Sequence, residues 1–123
     1  MNLEKFTIKA QEVIMNTQAI AQERQNSEID VAHLAYALIE SDETINDILK
    51  IMNVDTEKLK NAISKEIEKL PVVKGEIRTL YISPLLNRVF YKAQSFAKSL
   101  GDEYISVEHL FLSLSDVDSD IKK

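Results

Sequence analysis

Displaced by 76 positions, this chain lies on itself without a gap. Residues 6–38 align with 82–114, and Val13/Val89, Gln18/Gln94, Ala21/Ala97, Ile29/Ile105, Val31/Val107, His33/His109, Leu34/Leu110 and Leu38/Leu114 are identical. Eight identities in these thirty-three columns compare with about two expected by chance at average composition. An internal repeat constrains the fold more than any single motif, because each copy is one unit that buries its apolar face against its neighbour. Two copies make a closed pseudo-twofold pair, and a compact domain follows in place of a long solenoid.

The unit itself reads as helical. After Thr7, a plausible N-cap, apolar residues at Ala10, Val13, Ile14, Ile20 and Ala21 form one stripe of a helix. Asp30 caps a second helix whose face is Val31, Leu34, Ala35 and Leu38, with Ile29 and Leu34 spaced as a hydrophobic staple. A third, shorter helix has Ile45, Ile48, Leu49 and Met52 inward and Asn53 as a left-handed terminator. The fourth starts at Asp55, packs Leu59, Ile63 and Ile67, and stops before Pro71.

From 72 to 82 the helical period is lost, and "VVKGEIRTLYI" reads as a partly extended linker. Ser83-Pro84 then restarts the pattern with a cap and a first-turn proline; Leu86, Val89, Phe90, Ala93, Phe96 and Ala97 continue it, and Gly101 ends it. Ser106 caps the last patterned helix, with Val107, Leu110, Phe111 and Leu114 inward and Ile105 stapled to Leu110. The expectation is an all-α domain over 1–123: a four-helix repeat at about 6–70, a linker at 71–82, and a partial second repeat from 83. The counterparts of helices three and four would fall at 120–146, so the second copy reads as truncated, with Ile121 in the column of Ile45.

Composition narrows the function. Only two Gly and two Pro argue against a hairpin-rich fold, and the absence of Cys excludes disulfides and thiolate metal sites. A net charge of −5 disfavours a helical DNA reader, since phosphate binding needs a basic footprint. No basic start followed by an apolar run opens the chain, and no stretch approaches a spanning segment, so no membrane contact is expected and the expected compartment is the cytoplasm.

No catalytic or nucleotide motif is written here. There is no phosphate loop, no G-x-S-x-G and no H-E-x-x-H. His33 and His109 occupy equivalent third positions of two helices, where a neutral imidazole bonded within the first turn is favoured over a metal pair. Asp42/Glu43 and Asp102/Glu103 read as solvated caps. Binding is the better expectation. Ile77, Leu80, Tyr81 and Ile82 are apolar residues of the linker beside the seam between copies, where a groove suits an extended segment; covering the core is their other reading.

The motifs "FTIKAQEVI", "LP.V.G" at 70–75, "YISPLLNRVFYKA" and "GDEYISVEHLFLSL" resemble the Clp N-terminal repeat domain, in the form that opens ClpB-type disaggregases. The resemblance implies a binding domain, itself not an enzyme and without cofactor, that recruits unfolded or aggregated polypeptide. It implies AAA+ ATPase modules outside this stretch, using ATP and Mg, in a homohexamer that works with a DnaK-type chaperone. It also implicates Thr7, Asp102 and Glu108 in polypeptide binding, each of which has a capping or first-turn role as well. The alternative is an adaptor-docking N-domain of a protease-linked Clp unfoldase.

Overall fold

Four helices of the repeat begin where the duplication places their caps. The structure, a computed structural model, describes residues 3–75 and 79–117. After a 3-10 turn at Leu3–Lys5 come α1 (Ile8–Glu23), β1 (Glu28–Ile29), α2 (Val31–Ser41), α3 (Glu43–Ile51), α4 (Thr56–Glu68), β2 (Tyr81–Ile82), α5 (Pro84–Ser99) and α6 (Val107–Asp116). Thr7, Asp30, Ser83 and Ser106 cap α1, α2, α5 and α6, each with extended backbone and a side-chain oxygen accepting from a first-turn amide. Ile77 and Ile121 lie outside the described residues.

Two short parallel pairings join the copies, and periodicity alone does not predict them. Glu28 and Ile29 pair with Tyr81 and Ile82, while Phe6 forms an isolated bridge to Ile105. The 76-residue shift exchanges the pairs Ile29–Ile82 and Phe6–Ile105, so each is the pseudo-twofold image of the other. The backbone bonds repeat as well: Ser83 N–H donates to the Ile29 carbonyl and Thr7 N–H to that of Ile105, both at 2.9 Å. The physical cause is the caps themselves. An N-cap residue is held extended, so the chain leading into each helix is already strand-like and can take a partner.

Packing follows the same symmetry. α1 packs on α2 and α5 on α6, while α2 and α6 meet across the seam; α4 covers α2 from the other side. The buried columns match between copies: Ala10/Leu86, Val13/Val89, Ile14/Phe90 and Ala21/Ala97 on the first helices, Leu34/Leu110 and Leu38/Leu114 on the second. Both staples are buried at Ile29 with Leu34 and Ile105 with Leu110.

The two left-handed terminators are also equivalent, Gln25 at φ 59° and Gly101 at φ 75°. Asn53 at φ 61° ends α3 as its sequence implies. One expectation needs correction. Asp42 is not a solvated cap: it is buried, and its carboxylate accepts from the Ile45 amide at 3.0 Å to start α3 directly after α2.

Candidate functional site

Each histidine closes a capping box. Asp30 N–H donates to His33 Nδ1 at 2.9 Å, and Ser106 N–H donates to His109 Nδ1 at 2.8 Å. With Nδ1 accepting, the imidazole proton sits on Nε2, which donates to Asn26 Oδ1 in the first copy and Asp102 Oδ2 in the second, at 2.9 Å in both. Both nitrogens of each ring are thus engaged within its own copy, and the rings serve as caps.

The partners differ although Asn26 and Asp102 share a column. Asn26 is buried and also donates to the Pro71 carbonyl at 3.0 Å, tying the linker to α2. Asp102 is half-exposed. Burial lowers the His33 pKa, against an opposing pull from the Asp30 carboxylate.

The seam opens into a groove of about 740 Å³. Phe6 and Ile105 supply its wall from the isolated bridge, Ile82 comes from β2, and α5 adds Phe90 and Tyr91. Phe6 and Phe90 meet edge to face, with centroids 6.1 Å apart. Polar lining comes from Lys5, Asn87, Arg88, Lys92 and Gln94, and no carboxylate is among the described residues that line it. A small space of about 10 Å³ lies between α1 and α5, among Ile14, Gln18, Leu86 and Phe90. On the first copy the equivalents of Pro84 and Tyr91 are Ile8 and Met15, both exposed on α1. A separate cavity of about 240 Å³ lies among core residues of α2, α3, α4 and α6, including Leu38, Ile63 and Leu114.

The residues singled out from sequence fall into two groups. Thr7, Asp102 and Glu108 gather about the start of α6. Thr7 bonds to Ile105 through its backbone, Asp102 accepts from His109, and Glu108 is exposed in the first turn. Leu80 and Tyr81 lie instead at the β1–β2 pairing: Leu80 is half-buried against the core, while Tyr81 is 64% exposed. None of the five lines the groove, although Thr7 follows Phe6 and Tyr81 precedes Ile82, which do.

Lys5, Arg88, Tyr91 and Lys92 were not singled out from sequence. Their signal lies in the repeat columns, where they stand opposite Tyr81, Glu12, Met15 and Asn16.

Among the described residues, no helix is long and apolar enough to cross a membrane. The ClpB chaperone of Bacillus cereus is 38% identical over 127 aligned positions, covering all of this chain and 15% of that protein. The ClpB chaperone of Clostridium tetani is 36% identical over 118 positions, 93% of this chain and 14% of that one. The chain thus spans about 15% of the length of the curated relatives it matches. The N-terminal domain of Candida albicans Hsp104 has the same fold, with a TM-score of 0.88 at 22% identity over 96% of this chain and 77% of that one. A ClpV N-domain solved in complex with a VipB peptide gives 0.78 at 17% identity, over 97% and 75%. The model of the Clp repeat (R) N-terminal domain matches residues 5–123, and the chain belongs to that family.

Proposed function

We propose that this domain recruits unfolded or aggregated polypeptide for a ClpB-type disaggregase and passes it to ATPase modules outside these residues. The observation behind the proposal is the open seam groove, whose apolar wall of Phe6, Ile82, Phe90, Tyr91 and Ile105 has the size and character of a ligand site. A related fold accommodates a peptide in the ClpV complex. Thr7, Asp102 and Glu108 flank this wall at the start of α6 and would orient a client backbone, while Leu80 and Tyr81 would extend the apolar surface beyond Ile82. In the parent machine the domain would serve a homohexamer driven by ATP and Mg, acting with a DnaK-type chaperone in the cytoplasm. Adaptor docking is the second reading, favoured by Ile8 and Met15, which are exposed one heptad apart on α1.

Apolar burial at about 25 cal/mol per Å² makes such recruitment sequence-tolerant and insensitive to salt for an uncharged client. Titration with several unrelated unfolded polypeptides tests this directly. Weak binding to all of them, reduced several-fold by Tyr91→Ser at unchanged thermal midpoint, is the expected result. Tyr91 is 73% exposed, so its replacement should leave the core intact. The paired Leu80→Ser and Tyr81→Ser variant asks whether the apolar surface continues past Ile82. Binding to one folded adaptor and to no unfolded chain would overturn recruitment in favour of docking.

A further inference from the structure

The groove wall carries a charge opposite to that of the protein. The chain has a net charge of −5, yet Lys5, Arg88 and Lys92 line the groove with no carboxylate among the described residues that line it. Lys92 is engaged, its Nζ 2.8 Å from Asp116. Neither Lys5 nor Arg88 forms an ion pair with another described residue. Among the described residues, two cations thus stand without an ion-pair partner beside an apolar trough in an acidic molecule.

The duplication makes the placement more telling. The column of Arg88 holds Glu12 in the first copy, that of Lys92 holds Asn16 and that of Lys5 holds Tyr81. In the first copy these three columns carry no cation.

Resting on the recruitment reading above, we infer that the groove selects extended apolar segments that carry acidic side chains. Arg88 and Lys92 lie one helical turn apart on α5, about 6 Å along its axis. Same-side residues of an extended peptide repeat at about 6.8 Å. A segment running along α5 can therefore present carboxylates at alternate positions to this row, with Lys5 beside it. The intervening apolar side chains would then face Phe6, Ile82 and Phe90. Lys92 would share its charge between Asp116 and the client, which leaves Arg88 and Lys5 as the main determinants.

The test uses this 123-residue chain and three fluorescent peptides of one apolar sequence, bearing two Asp, two Asn or two Lys at alternate positions. The Asp peptide should bind about fivefold tighter than the Asn peptide at low salt, as expected for two partly exposed ion pairs. The Lys peptide should bind more weakly than both. The Asp advantage should fade toward unity in 0.5 M salt while the Asn peptide is unaffected. The double variant Lys5→Glu and Arg88→Glu should reverse the order of the Asp and Lys peptides, whereas Glu12→Arg on the equivalent face of α1 should leave it unchanged.

Equal binding of the Asp and Asn peptides would overturn the charge preference while leaving recruitment intact. Failure of all three to bind would remove recruitment itself. Displacement of the Asp peptide by a short oligonucleotide, but not by excess Asn peptide, would overturn the inference by showing a general polyanion surface.

Discussion

Helices α1 and α5 are duplicates that bury the same columns and expose different chemistry. Inward they agree position by position, Val13 with Val89, Ile14 with Phe90 and Ala21 with Ala97. Outward, Glu12, Met15 and Asn16 stand where α5 has Arg88, Tyr91 and Lys92. The inward columns are constrained because a polar group there would be buried without a partner and a smaller one would leave a cavity. The outward columns are free of that constraint. Divergence between copies therefore concentrates where packing does not decide, and the open groove lies on the side where it is basic and aromatic.

The largest expected difference between equivalent positions concerns Asn26 and Asp102. Asn26→Asp removes the amide that donates to the Pro71 carbonyl and sets a carboxylate against that oxygen in a buried site. It should cost about 2 kcal/mol at neutral pH by chemical denaturation. Asp102→Asn keeps an acceptor for His109 in a half-exposed position and should stay within about 0.5 kcal/mol. Equal costs would show that the two capping boxes are not distinguished by burial.

A smaller effect is expected at the left-handed terminators. Gly101→Ala places a Cβ on a residue with φ 75°, which should destabilise the domain by about 1 kcal/mol. Gln25→Gly relieves the same strain at φ 59° in the other copy, so it should stabilise by up to about 1 kcal/mol. Thermal midpoints moving in opposite directions check both.

The smallest effect is a pH dependence from His33. Its folded pKa lies below the ordinary 6.5 because burial disfavours the cation. Between that lowered value and 6.5 the unfolded chain binds more protons than the folded one, so stability falls as pH falls through this window and gains nothing further above it. His33→Asn should flatten this part of the stability profile, read as denaturation midpoints at several pH values.

The architecture was largely legible because it is written in periodic apolar columns and capping residues. Thr7, Asp30, Ser83 and Ser106 each start the helix expected of them. The β1–β2 pairing was not legible. Two-residue strands are too short for an alternation, and their partners come from opposite copies. Asp42 reads as a solvated acid in sequence, yet the short step from α2 to α3 folds it inward.

The candidate site was legible in location but not in lining. A seam between duplicated units follows from the repeat, whereas Leu80 and Tyr81 stand out only by being apolar in a linker. The groove draws on α5's outward columns, whose message appears only when Arg88 is compared with Glu12 and Tyr91 with Met15.

The most direct test of this asymmetry is residue-resolved NMR titration of the chain with an uncharged apolar peptide. The expected amide shifts cluster at Phe6, Arg88, Tyr91 and Ile105, with Glu12, Met15 and Gln18 on the equivalent face unmoved. Shifts of equal size on both faces, or centred on α1, would contradict the claim that the duplicated copies have divided a shared core from a one-sided binding groove.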